Sequence, residues 1–228
     1  MKKLYRFVIY AAGLLILALG ITLNTKTGLG VSPIISVSYS ISYVWNLNFG
    51  DTTLALYTLF VIAEFVMRGR RARPADVLQI PLSIVFTRFL NLFAAVLPDG
   101  PQVLWQQFLL LLAAIVLTGI GAAMSVNMRL IPNPGDGIVQ TISDCTGREM
   151  GLVKNVFDVG NIMITACVGF FSGHPFVGIG AGTVVAVIGV GRVVSVFNRC
   201  CKSQMDEMAG ISYSKGNGEN VDADEEFA

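Results

Sequence analysis

The residues able to do chemistry in this chain are few, and most sit where charge is costly. Arg88 falls about 11 residues into a long apolar stretch, roughly 16 Å deep at the 1.5 Å rise of a helix. A guanidinium there should face the protein interior, either on a solute path or paired with Asp158 or Glu64. Arg192 stands nearer the end of its own stretch, where a long side chain can snorkel to the interface. Asn155, Asp158, Asn161 and Thr165 follow at spacings of 3, 3 and 4, which puts them on one helix face as a polar stripe in an apolar segment. Asp158 on that stripe is a candidate for proton or cation coupling, with a structural pairing to Arg192 as its competitor.

Two Gly/Pro loops complete the candidates. Gly28-Leu-Gly-Val-Ser-Pro33 and Pro132-Asn-Pro-Gly-Asp-Gly137 would let the chain enter, turn and start a short helix. Its first turn, at Gly30 and Ser32 in one loop and at Gly135 and Asp136 in the other, would present free N–H groups and a positive dipole end to an anion. The competing reading is ordinary turns at the membrane surface, leading into amphipathic helices. Asp136 and Asp51 also suit helix N-caps. With Arg88 and Arg192, the two loops make an anion-selective cavity the sharpest expectation.

Other chemistries lack their residues. His174 is the single histidine, and no Ser/His/Asp arrangement, HExxH or GxxxxGK[ST] occurs. Cys145, Cys167, Cys200 and Cys201 have neither CxxC spacing nor the density of a disulfide framework. The expectation is no enzyme, no metal site and no cofactor. The 16 basic and 15 acidic residues nearly cancel, so charge gives no argument for nucleic acid.

The elements that must position these residues are membrane helices. Only 14% of the chain is charged, against about 25% in soluble domains. Six stretches have the length of about 20 residues that a helical crossing needs: roughly 5–24, 51–68, 77–97, 103–126, 152–171 and 175–197. The first follows Lys2 and Lys3 and is too long for a signal-peptide core, so it reads as a retained span. Two shorter elements, 31–46 and 135–146, hold many Ser, Thr, Asn and Asp residues and do not look able to span. Lys2, Lys3 and Arg6 place the N-terminus inside, and Arg68, Arg70, Arg71 and Arg73 return the chain there after the second span. That placement makes 31–46 re-entrant or interfacial. Arg129, Arg148 and Lys154 flank the second short element inside, Arg199 and Lys202 bring the C-terminus in, and only Lys26 breaks the pattern. Residues 203–228 read as a disordered acidic cytoplasmic tail.

The two halves repeat. Residues 1–98 and 99–202 each read as long span, short element, long span, long span, displaced by about 101 to 104 residues, with Arg88 superposed on Arg192 at 104. Three crossings per half invert the second half against the first. The fold expected is all-α: a polytopic helical membrane protein of about six transmembrane helices plus two short re-entrant or interfacial helices, in an inverted 3+3 repeat. Such repeats, with half-helices meeting at the middle, are a transporter architecture.

GLGVSP near residue 30, PNPGDG near 135, the order of elements and the Arg in the last helix of each half together resemble the YczE/YyaS/YitT family of bacterial membrane proteins, over roughly residues 5–199. The resemblance implies a bacterial plasma membrane location, in which the placement of Lys and Arg sets both termini on the cytoplasmic side, and it carries over no site residues. The function expected is a transporter or channel for a small anionic solute, with a non-transporting scaffold or regulatory partner of another membrane system as the alternative. The partners expected are the lipid bilayer and a small solute or ion. A homo-oligomer is compatible with this reading; nucleic acid is not expected.

Overall fold

A computed structural model of the chain describes residues 2–69 and 74–211. The order of elements is α1 Lys2–Thr25, α2 Pro33–Trp45, α3 Phe49–Arg68, a short 3-10 turn Pro74–Leu78, α4 Gln79–Val96, α5 Leu104–Asn127, α6 Pro134–Thr146, α7 Met150–Phe171 and α8 Ala181–Ala209. All but α2 and α6 are long and apolar enough to cross a membrane, as expected. Arg70, Arg71 and Arg73, which helped to set the orientation, lie outside the described residues.

The repeat has a fixed register. α2 and α6 each have 13 residues, and Pro33 and Pro134, which open them, are 101 residues apart. Their left-handed caps, Asn46 and Gly147, and the starts of α3 and α7, Phe49 and Met150, keep that offset. So does the turn after each: the Ser42 hydroxyl donates to the Leu47 carbonyl at 2.7 Å and the Ser143 hydroxyl to the Arg148 carbonyl at 2.6 Å. Proline at the first position of both helices is well placed, because that N–H has no intrahelical acceptor.

Helices α1 and α5 form the central pair. Gly20 packs on Thr118 and Gly13 on Met124 and Ser125, while the Arg6 Nε donates to the Met128 carbonyl at 2.8 Å. Rising numbers on α1 meet falling numbers on α5, so the two are antiparallel, as an inverted repeat requires. Small residues at this seam let backbones approach where lipid supplies no hydrophobic drive. The outer helices follow the same symmetry: α4 packs on α1 and α8 on α5.

Each short helix packs on the opposite half, α2 on α7 and α6 on α3. Along α3, Tyr57 lies by Gly135, Glu64 by Gly137 and Met67 by Cys145. Along α7, Thr165 hydrogen-bonds Ser36 at 2.7 Å, and beyond its end His174 meets the Tyr43 ring. Each short helix therefore starts beside the middle of a spanning helix and runs parallel to its end. This is the layout that a re-entrant half-helix requires.

Both ends of α8 differ from expectation. α8 starts at Ala181, not 175, because Phe176 and Gly178 have positive φ and this stretch closes on the first loop. Val31 N–H donates to the Gly178 carbonyl at 3.1 Å and Gly182 N–H to the Leu29 carbonyl at 2.7 Å, which satisfies backbone that lipid could not. At its other end α8 continues to Ala209, with Met205 and Ala209 buried against Tyr10 and Met128. Residues 203–209 are therefore helix, and 212–228 lie outside the described residues. Lys26, the exception in the charge pattern, is held by the Leu97 carbonyl at 3.0 Å and lies 3.9 Å from Asp99.

Candidate functional site

The tips of α2 and α6 meet at one cavity of about 330 Å³, the size of a small-molecule site. Its floor is Ser32 and Pro33 from one tip and Asn133, Gly135 and Asp136 from the other. Leu17 and Ile21 of α1, Ala122 of α5 and Val187 and Val190 of α8 make the walls largely apolar. Neither N-cap residue, Ser32 nor Asn133, bonds its own helix by its side chain. The Asn133 amide instead donates to the Tyr57 hydroxyl at 3.4 Å.

Charge in the cavity comes from α6 and α7. Asp158 is buried, with Lys154 Nζ 3.4 Å from its Oδ2, one helical turn away. Its other oxygen, Oδ1, is buried without a hydrogen-bond partner among the described residues. Asp136 lies within electrostatic reach of both Lys154 and Asp158. Lys154 is half exposed, and the lining also includes Asn127 and Asn198, which hydrogen-bond each other at 2.7 Å. At fixed charge the cavity thus holds two carboxylates to one ammonium.

Of the residues expected from sequence, Ser32, Gly135, Asp136 and Asp158 line this cavity, and the others do not. Arg88 is the main correction. It reaches neither Asp158 nor Glu64; its Nη2 bonds Asp51 Oδ1 at 2.6 Å, with both side chains more than half exposed. The pairing forms because Asn91, one turn on, accepts from Gly50 N–H at 2.8 Å and lays α4 along the start of α3. Arg192 is exposed beside Val116, Ile120 and Val196 on the outer side of α5 and α8. It does not pair with Asp158, whose place beside Lys154 fills that role. Gly30, at φ +101°, packs on Gly180 and Thr183 and serves the loop closure.

The polar stripe on α7 is only partly inward. Asp158, Asn161 and Thr165 are buried while Asn155, in the first turns, is exposed. Asn161 donates to the Phe157 carbonyl at 2.8 Å, a local bond that keeps it out of the cavity. The N-cap positions lie three residues earlier than expected: Asn48 caps α3, accepting from Asp51 N–H at 3.1 Å, and Asn133 holds the N-cap position of α6 without a side-chain capping bond. Asp51 and Asp136 are both freed from capping by that shift.

Sequence reasoning missed Lys154, Tyr57, Asn127, Asn133 and Asn198 as lining residues. Lys154 carried a signal, since Lys and Asp at i and i+4 on one helix are neighbours. Tyr57 did too, being the 101-residue counterpart of Asp158.

Arg88→Ala is expected to leave ligand binding in the cavity intact, because the Arg88–Asp51 pair lies outside it. A thermal-shift comparison with the parent protein in the presence of ligand checks this.

Comparison with known proteins gives relatives without an assigned activity. The chain is 28% identical over 194 residues to the uncharacterized membrane protein YczE of Bacillus subtilis, covering 83% of each chain. It is 24% identical over 194 residues to the B. subtilis protein YyaS, covering 84% of this chain and 92% of that one. An uncharacterized protein of Haemophilus influenzae is 26% identical over 182 residues, 80% of this chain and 78% of its own. No solved structure matches at a significant level. Residues 4–199 match the model of DUF6198, described as a family of unknown function, and the chain belongs to that family.

Proposed function

We propose that the protein moves a small organic solute across the membrane, by rocking of its two halves about the cavity where the half-helix tips meet. One observation carries the reading: a half-helix from each repeat ends, beside the middle of a spanning helix, at the same buried cavity with charged groups. That is where inverted-repeat transporters hold substrate. Catalysis forms no part of the proposal.

The solute class follows from the charges. The arginines that favoured an anion are outside the cavity. What faces the solute is an orphaned carboxylate oxygen of Asp158, the Asp136 carboxylate, one ammonium on Lys154 and apolar wall, so carboxylates outnumber cations two to one. A solute with a protonated amine and a small apolar body matches these groups better than an anion. A ligand that binds the folded state raises its apparent stability, so a thermal-shift screen of purified protein against small amines and small anions tests the class. Amines are expected to raise the midpoint; a rise confined to anions would return the reading to its earlier form.

The bacterial plasma membrane, with both termini cytoplasmic, belongs to this proposal, supported by the placement of Lys and Arg. In a variant with Cys145, Cys167, Cys200 and Cys201 changed to Ser, single cysteines at Gln102 and Arg199, both exposed, should label from opposite sides of intact cells. Labelling of both from one side would overturn the inverted topology.

A further inference from the structure

A second polar cluster lies away from the cavity, between α3, α4 and α6. Glu64, Gln79 and Thr141 are each buried to within 1% of complete. Among the described residues, Glu64 Oε1, Gln79 Oε1 and Thr141 Oγ1 are buried oxygens without a hydrogen-bond partner. The amide orientation of Gln79 is fixed, because its Nε2 donates to Glu64 Oε2 at 3.0 Å. A flipped amide would set two acceptors against each other.

These oxygens converge. A side-chain carbon on Gly137 would lie 2.8 Å from Glu64 Oε1 and 3.0 Å from Gln79 Oε1, so both oxygens crowd the same bare stretch of α6 backbone. Thr141, one turn further along α6, also lies beside the Glu64 carboxylate. Its behaviour is unusual for this protein. Other buried helical hydroxyls donate back to their own helix, as Thr22 does to Ala18 at 2.8 Å, Thr53 to Phe49 at 2.7 Å and Thr165 to Asn161 at 2.8 Å. Thr141 makes no such bond.

The repeat supplies an internal control. At the 101-residue offset Glu64 corresponds to Thr165, Gly137 to Ser36 and Thr141 to Ser40. In that half Ser36 and Thr165 bond each other at 2.7 Å and Ser40 donates to the Val37 carbonyl at 3.0 Å, so every oxygen has a partner. The unmatched oxygens are particular to the Glu64 side.

We infer that Glu64, Gln79 and Thr141 form a binding site for a small monovalent cation, held by their three oxygens between α3, α4 and α6. Carboxylate, amide carbonyl and hydroxyl oxygens are hard ligands suited to a hard cation. One carboxylate balances one positive charge, and no group of three acidic, His or Cys side chains that would suit a divalent ion occurs among the described residues. Arg68, the nearby cation, acts on Glu64 through its charge but makes its ion pairs with other carboxylates, with Nη1 2.9 Å from Asp76 and Nη2 4.0 Å from Asp144. The bound ion would tie α6 of the second half to α3 and α4 of the first.

The test uses full-length protein in detergent, with thermal unfolding followed as NaCl replaces choline chloride at constant ionic strength and pH. Sodium is expected to raise the midpoint saturably. Glu64→Gln, close in volume and without the charge, should abolish the shift, and Thr141→Val should raise the half-saturating sodium concentration about tenfold or more, the scale of losing support at a metal site. Absence of a sodium-specific shift, or its survival in Glu64→Gln, overturns the site. If Glu64→Gln does not fold, Thr141→Val decides, and unchanged half-saturation overturns it. A midpoint that follows pH but not sodium would assign the cluster a proton and equally reject the cation.

Discussion

Asp158→Asn is expected to lower uptake of an amine solute by reconstituted protein about 10- to 150-fold. The range corresponds to the roughly 1.5–3 kcal/mol of a hydrogen bond to a charged group. Asp158 Oδ1 is the one buried carboxylate oxygen lining the cavity that lacks a partner, so a solute donor placed there would meet no competitor from the protein. The substitution keeps the size of the side chain, and the bond between the Lys154 ammonium and position 158 can still form through the amide oxygen. The fold should therefore persist while affinity drops, seen as a higher half-saturating concentration of solute. Uptake unchanged within about twofold would remove Asp158 from the path. Arg88→Ala is the matched control, since its ion pair lies on the outer surface.

The other large effect is on stability. Gly20→Leu should destabilise the protein by at least about 1–3 kcal/mol, the cost of overpacking. Even a single carbon on Gly20 would lie 2.5 Å from the Thr118 backbone nitrogen and 2.6 Å from its hydroxyl, and backbone cannot swing aside as a side-chain tip can. Relief requires α1 and α5 to separate, and α4 and α8 pack on that pair. The measurement is the thermal midpoint of purified protein, with Gly160→Leu for comparison, since Gly160 has open space around it. Equal midpoints for the two variants would show that the α1–α5 seam is looser than described.

These expectations differ in how far sequence alone could reach them. The spanning helices and the repeat were legible, because hydrophobic length and a recurring Pro-opened short element are properties of order along the chain. Asp136 and Asp158 were legible as well, being costly charges close to a loop tip or on a polar stripe. Arg88 was not, since depth along a helix says nothing about which way a side chain points. Its direction depends on Asn91 accepting from Gly50 and setting α4 against α3. The Glu64 cluster escaped for a similar reason. Gln79 and Thr141 are unremarkable in sequence, and only the crossing of α6 over α3 puts their oxygens beside the carboxylate. Lys154, read from its position as a marker of orientation, proved to be a lining residue through the same rotation of α7 that buries Asp158.

The exchange of short helices between halves bears on how the chain is made. α2 ends at Trp45, yet the helix it lies against, α7, starts only at Met150. During synthesis 129 residues must therefore follow Ser36 before it can meet Thr165. Until then Ser36 has only its own helix as a partner, through the Pro33 carbonyl at 2.7 Å, and the face of α2 that meets α7 is uncovered. α6 has no such wait, because α3 is already in place when it appears. The ribosome thus delivers an asymmetric assembly of a nearly symmetric molecule, in which arrested chains shorter than α7 should expose residues 33–45 to protease and longer ones should protect them.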